Sequence, residues 1–432
     1  MWYNIPMFSP NPLASIETTF FSSLIPGAFQ MLLSIAPIAL VILLALIFWD
    51  LWVEYVQGKQ FLGLKYILLE LKLPRDTFKS PKAMETVLNT LNNISGENWF
   101  SMYWKGETRP WYSLEIVSIE GQVKFFIWTE DRRKSGVMSS LYSQFPEIEI
   151  AEREDYTRCV HFDPKTMKLS CIEFALTNKS PAYPIKTYVD YGLDKDPKEE
   201  FKVDPMLPQI EFLGSVPPNQ QIWIQILIRG HKKEQHKPGT LFGLTDSWRD
   251  VSLKEVNEIL KRDKDTKVAG TRDEATGYTK LPSITEGERE QVAAIERRLG
   301  KLAFDVGIRA IYVAPKEAFD TPFGVGGTIS SFSNYKSENL NGFKPNGDKW
   351  HPRLTYPWQD YKNMRRNRYS KLGLAAYKRR SYFYTPFKAQ PFVLNSEELA
   401  TIYHFPGSVS QTPSLERVPS RKAKAPGNLP VA

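Results

Sequence analysis

The densest set of side chains able to do chemistry lies in YKNMRRNRYSKLGLAAYKRRSYFY, from Tyr361 to Tyr384. Lys362, Arg365, Arg366, Arg368, Lys371, Lys378, Arg379 and Arg380 are interleaved there with Tyr369, Tyr377, Tyr382 and Tyr384. Cations neutralise phosphates and aromatic faces stack on bases, so the mixture suits nucleic acid. It equally suits anionic lipid headgroups or an acidic protein partner. A solvated charged face, or salt bridging between domains, is the plainer reading of such a run. Asn395 and Glu398 form a capping pair for a helix reaching about Tyr403, which puts the basic run inside a folded region.

No catalytic constellation accompanies it. A phosphate loop of the form GxxxxGK[ST] is absent, and the nearest glycine-rich piece, FGVGG from Phe323 to Gly327, has no lysine and reads as turn or packing glycine. The five histidines, His161, His231, His236, His351 and His404, form no HExxH helix, and no GxSxG elbow is written. Cys159, His161 and Cys171 offer three zinc ligands without an evident fourth, and Cys-x-His sits awkwardly on one strand. The expectation is a protein that is not an enzyme and carries no cofactor or metal site.

These side chains need a scaffold, and the composition supplies one. A chain of 432 residues with 25 Phe, 20 Tyr and 11 Trp can bury enough surface to fold, in two or three domains. With only two cysteines there is no disulfide framework, so the soluble part reads as reduced and cytoplasmic. The net charge of +8 is unevenly placed, since no Lys or Arg precedes Lys59.

From Ala28 to Trp49 no charged residue occurs. At about 1.5 Å per residue this is about 33 Å of helix, matching a hydrocarbon core of about 30 Å. Trp49, Trp52 and Tyr55 gather at its C-terminal end, followed by Lys59 and Lys65. The pattern predicts a single-pass span over 28–55, with residues 1–27 outside and the C-terminal bulk in the cytoplasm, at the inner membrane. A basic n-region and a small-residue cleavage site are missing, so a cleaved signal peptide is not indicated.

Behind the span the fold class reads as α+β. Tyr66 to Leu73 alternates as a half-buried strand, Ser80 and Pro81 open a helix carrying Met84, Val87, Leu88 and Leu91, and Glu120–Gly121 joins two strand-like runs. Asp131 is expected to cap a helix reaching about Gln144, before a last strand through Ile148 and Ile150. This βαββαβ order predicts a ferredoxin-like module over 60–156. A second α+β module is expected over 157–405, where a similar rhythm recurs less cleanly, so that one or two ferredoxin-like modules follow the span. Its markers are a helix stopped by Gly214, a strand with Ile222, Ile224, Ile226 and Ile228, a Thr285/Glu288 capping box and a strand from Phe304 to Val313. A polar insertion at about 230–283 carries a short helix near Leu253 to Arg262, and 406–432 reads as a Pro-rich basic tail.

Several segments together resemble a known family: FPEIEI at Phe145, GIRAIYVAPKEAF at Gly307, NLNGFKP at Asn339, YKRRS at Tyr377, FVLNSEELATIYHFPG at Phe392 and LERVPSRKAKAPGNLP at Leu415. They resemble an uncharacterised family of reduced-genome candidate-phyla bacteria, which looks like the membrane-anchored N-terminal region of conjugative type IV secretion coupling ATPases. In fused relatives the stretch corresponding to Leu415–Pro430 leads into the motor domain. The resemblance therefore implies a stand-alone anchor working beside a separately encoded P-loop ATPase in a DNA-transfer machine. Ring-shaped self-assembly follows only by analogy with secretion motors. The competing expectation is a membrane-tethered scaffold for envelope or pilus assembly, with no nucleic-acid role.

Overall fold

The computed structural model describes residues 12–74, 79–94, 100–177, 180–195, 203–233, 235–236, 244–260, 271–272, 279–280, 284–346, 356–406 and 417–418. Helix α1 runs Pro12–Gly63, and its stretch Ile35–Gly63 is long and apolar enough to cross a membrane, with none of its apolar window buried against protein. There follow β1 (Tyr66–Pro74), α2 (Pro81–Leu91), β2 (Trp111–Ile119), β3 (Gln122–Glu130), α3 (Lys134–Gln144) and β4 (Glu149–Arg153). Next come β5 (Met167–Leu176), α4 (Leu207–Gly214) and β6 (Gln221–Gly230). An excursion holds the short ladder β7 (Gln235–His236) with β8 (Leu244–Thr245), then α5 (Ser247–Ile259), the ladder β9 (Thr271–Arg272) with β10 (Thr279–Lys280), and α6 (Glu286–Leu299). The chain then forms β11 (Ala303–Pro315), α7 (Gly327–Ser331), β12 (Phe343–Pro345), α8 (Met364–Lys378), β13 (Phe392–Asn395), α9 (Ser396–Ile402) and β14 (Arg417–Val418).

The local signals act as the residues dictate. Ser80 accepts a hydrogen bond from Lys82 N–H and Pro81 opens the first turn of α2, whose Met84, Val87, Leu88 and Leu91 are buried. Glu120 and Gly121, at φ of +54° and +84°, take the left-handed pair of conformations that a two-residue hairpin loop needs. Thr285 with Glu288 and Asn395 with Glu398 close reciprocal capping boxes on α6 and α9. Asp131 differs from expectation. It opens a 3₁₀ turn, Asp131–Arg133, and α3 then starts without a side-chain cap.

Among the described residues, ten strands lie in one sheet. The first half has the spatial order β4-β1-β3-β2 and the second β12-β5-β11-β6, with every neighbouring pair antiparallel. The halves join where β2 pairs with β6, from Trp111 opposite Arg229 to Ile119 opposite Gln221. The stretches 60–156 and 157–405 thus share one sheet. β13 extends the line of β5 along β11, and β14 lies parallel to the end of β1. Most of the tail 406–432 and much of the insertion 230–283 fall outside the described residues.

Both faces of the sheet are covered. Ile222, Ile224, Ile226 and Ile228 of β6 enter a core with α2, α3, α4 and α9, while Trp223 and Leu227 enter a second core under Leu374, Ala376 and Tyr377 of α8. This is why β1 is not half-buried: Glu70, expected on a wet face, is buried and ion-paired with Arg153 at 2.7 Å and Lys124 at 3.5 Å.

Candidate nucleic-acid interface on helix α8

The basic run of the sequence becomes α8 and the loop behind it, laid across the second face of the sheet. The Tyr377 ring lies 5.4 Å from Trp223, Ser370 Oγ donates to the carbonyl of Leu169, and Trp111 Nε1 donates to the carbonyl of Arg380. Gly307 in β11 makes room for this loop, because a Cβ there would come within 2.4 Å of the Tyr382 ring. At the other end of α8 the Asp360 carboxylate accepts from the amides of Arg365 (2.7 Å) and Arg366 (3.3 Å), which satisfies open N–H groups of the first turn and complements the helix dipole.

Beneath α8 a polar row crosses the sheet in register: Glu173 opposite Arg309, Arg309 opposite Gln225, Gln225 opposite Glu115. Arg309 Nη2 donates to Glu173 at 2.7 Å. Arg380 reaches into this row, donating from Nε to Glu115 Oε1 at 3.0 Å and from Nη2 to Asp155 Oδ1 at 3.1 Å. Ser113, Gln225 and the Tyr156 hydroxyl complete the shell of Glu115. Burial alone would push the Asp155 carboxyl up, but the Arg380 guanidinium outweighs it and the net shift is down. Burial, followed by the Glu115 charge, pushes the Tyr156 and Tyr377 hydroxyls well above their ordinary range, so both stay protonated donors.

The eight cations named from the sequence therefore divide. Arg380 is 1% exposed and a structural ion, which removes it from any solvent-facing surface. Lys378 is half-buried and its Nζ donates to the carbonyl of Val160. Lys362, Arg365, Arg366, Arg368, Lys371 and Arg379 are exposed. Three-residue spacing puts Arg365, Arg368 and Lys371 along one flank of α8. The aromatic partners divide too: Tyr377 and Tyr382 are buried, and Tyr369 and Tyr384 are half-buried. The rings that do face solvent beside the cations are ones the periodicity did not single out. Trp358, 77% exposed, stacks on Tyr356 at 4.7 Å with planes 8° apart, and Tyr361 is exposed with Lys362 Nζ at 5.2 Å from its ring. The readable sign was the Tyr-Pro-Trp step, in which proline displays two rings from a short 3₁₀ turn.

The strip has a definite place on the sheet. Leu169, under Ser370, pairs with Val313, which pairs with Gln221, which pairs with Ile119 at one end of β2. α1 meets the other end of β2, where Phe61 packs on Trp111 at 5.4 Å and on Tyr384 at 5.7 Å. From Trp111 to Ile119 is about 26 Å at about 3.3 Å per residue. Since α8 runs outward from Tyr377 through Ser370 to Met364, its basic N-terminal turns lie at the end of the sheet away from α1.

The remaining residues marked by the sequence are placed as follows. On α1, Trp49 packs 5.4 Å from Tyr103, Trp52 Nε1 donates to the carbonyl of Tyr103 at 3.0 Å, and Tyr55 is exposed. The glycines of FGVGG serve packing: Gly324 faces the Tyr312 ring and Gly327 the Phe212 ring. Cys171 is buried in β5 and Cys159 is exposed, and no group of three metal-ligating side chains occurs among the described residues. Residues 65–417 match a family model described as a domain of unknown function, DUF8128. No curated protein matches the chain.

Proposed function

The chain belongs to the DUF8128 family, and on that premise we propose that it is a non-catalytic, membrane-anchored subunit of a DNA-transfer machine of the type IV secretion kind. The carrying observation is the exposed strip of Lys362, Arg365, Arg366, Arg368 and Lys371 beside the stacked Tyr356–Trp358 pair, at the sheet end opposite α1. A bilayer crossed by α1 meets the Trp111 end, so phosphates reaching this strip come from a soluble polyanion, and the displayed rings suit unpaired bases. In this reading Lys59 and Lys65 hold the C-terminal side of α1 in the cytoplasm. The two halves, each in the order 4-1-3-2, act as ferredoxin-like modules forming one docking platform. The partner suggested by the resemblance of the Gly307, Tyr377 and Phe392 segments is a separately encoded P-loop translocation ATPase.

The test is retention of the full-length, detergent-solubilised protein on single-stranded DNA across a salt series. Replacing Arg365, Arg368 and Lys371 with Gln should weaken binding and flatten the log–log salt slope by about 0.7 per lost phosphate contact. Trp358→Ala should cost about 1–3 kcal/mol of single-strand affinity and little for duplex. Unchanged retention in both variants removes the nucleic-acid role. A pull-down from native membranes with nuclease treatment reads the partner, and recovery of envelope proteins without an ATPase would favour a scaffold.

A further inference from the structure

The turn before β2 bears two large rings in solvent. Phe100, the residue that leads into the π-helical turn Ser101–Lys105, is 59% exposed, and Trp104 on that turn is 50% exposed. This turn is clamped to α1. Trp52 Nε1 donates to the Tyr103 carbonyl at 3.0 Å, Trp49 lies 5.4 Å from the Tyr103 ring and Trp52 5.9 Å from the Trp104 ring. Gly106 closes the turn at φ +70° so close to the helix that a Cβ would stand 2.4 Å from the Val56 carbonyl oxygen, an approach that only glycine permits. Phe100 stacks on Trp104 at 6.4 Å, and Lys105 is exposed next to it.

We propose that the Phe100–Lys105 turn is a second membrane contact, with Phe100 and Trp104 seated in the phospholipid headgroup zone of the leaflet that α1 leaves. The depth follows from the clamp. Trp49 to Tyr55 covers about 9 Å of helix axis at about 1.5 Å per residue, comparable with one interfacial layer of roughly 5–7 Å. Whatever level Trp49 and Trp52 occupy, Tyr103 and Trp104 share it. Amphipathic rings favour that zone, and the exposed Lys59 and Lys105 face anionic headgroups from it. The sheet is thus held to the bilayer at two points in a fixed orientation, and α1 is not a free tether. The inference rests on α1 spanning the membrane.

Single-cysteine labelling of the full-length chain in nanodiscs of phosphatidylcholine and phosphatidylglycerol tests it. In a Cys159→Ser background, with buried Cys171 retained, an environment-sensitive dye is placed at Trp104→Cys, Lys105→Cys, Trp358→Cys or Leu44→Cys. Lys105→Cys leaves both rings intact. The expected result is quenching at 104 and 105 by shallow spin-labelled lipid and not by iodide, the reverse at 358, and quenching by deep spin label at 44. Iodide quenching at 104 and 105 equal to that at 358, with 44 still in lipid, overturns the second contact and leaves the anchor standing. Iodide quenching at 44 sinks both. Protection of 104 and 105 from lipid and iodide alike means that protein covers the turn, which also overturns the proposal.

Discussion

Removing the Arg380 guanidinium leaves the Glu115 carboxyl buried among Ser113, Gln225 and Tyr156 without its cation, a loss that costs about 3–5 kcal/mol in comparable buried pairs. Arg380→Ala should therefore lower the denaturant midpoint sharply, while Arg379→Ala, one residue away and exposed, should stay within about 0.5 kcal/mol of the parent. Equal effects of the two would contradict the division of the basic run. That division was not legible in the sequence, because what turns Arg380 inward lies far along the chain, Glu115 at a separation of 265 residues and Asp155 at 225. A second residue-scale effect concerns His404. Burial, the largest influence, pulls its imidazole down, but the Asp204 carboxylate at 3.1 Å outweighs it and the net shift is up. A raised histidine adds stability that is complete below the unfolded value near 6.5 and is lost as pH rises through the folded value. Asp204 is lowered, so its share is present above about 3.9 and is lost as pH falls through its folded value. His404→Gln should flatten the alkaline limb of midpoint against pH. An unchanged limb would exclude the pair as its cause.

Elements announced by short-range chemistry were readable: the Ser80 cap, the Glu120–Gly121 hairpin and the boxes at Thr285 and Asn395 all need only a few residues to specify them. β5 was not, since Lys168, Ser170 and Glu173 break the apolar pattern of an otherwise buried strand. Glu173 is tolerated only because Arg309 stands opposite it on β11, a fact no local window contains. The seating of the loop after α8 has the same long-range character, resting on a missing side chain at Gly307. Gly307→Val should press on the Tyr382 ring and destabilise by about 1–3 kcal/mol. Hydrogen exchange should speed up over residues 377–389 and stay slow in β3. Uniform acceleration across the sheet would mean that the loop does not yield separately.

On the scale of the whole molecule, the two halves repeat one strand order, which the sequence showed only in part as a second α+β module over 157–405, because the excursion with α5 and α6 stands between β6 and β11 where the first half has a two-residue turn. Joining the halves at β2 and β6 makes one continuous plate with α1 at one end and the basic turns of α8 at the other. That distance separates the lipid and nucleic-acid readings of the basic run. Cations lying on an anionic bilayer gain about 1 kcal/mol each, so five of them facing lipid would bind it tightly and DNA would have to displace it. At about 26 Å or more along the sheet from the α1 end, over three times the Debye length of about 8 Å at physiological salt, the strip would be screened from a leaflet crossed by α1. Single-strand affinity in nanodiscs should then be nearly the same in neutral and in strongly anionic lipid. A large loss in anionic lipid, restored by high salt, would mean that α8 lies on the membrane, and the cations would have to be reassigned from DNA to headgroups.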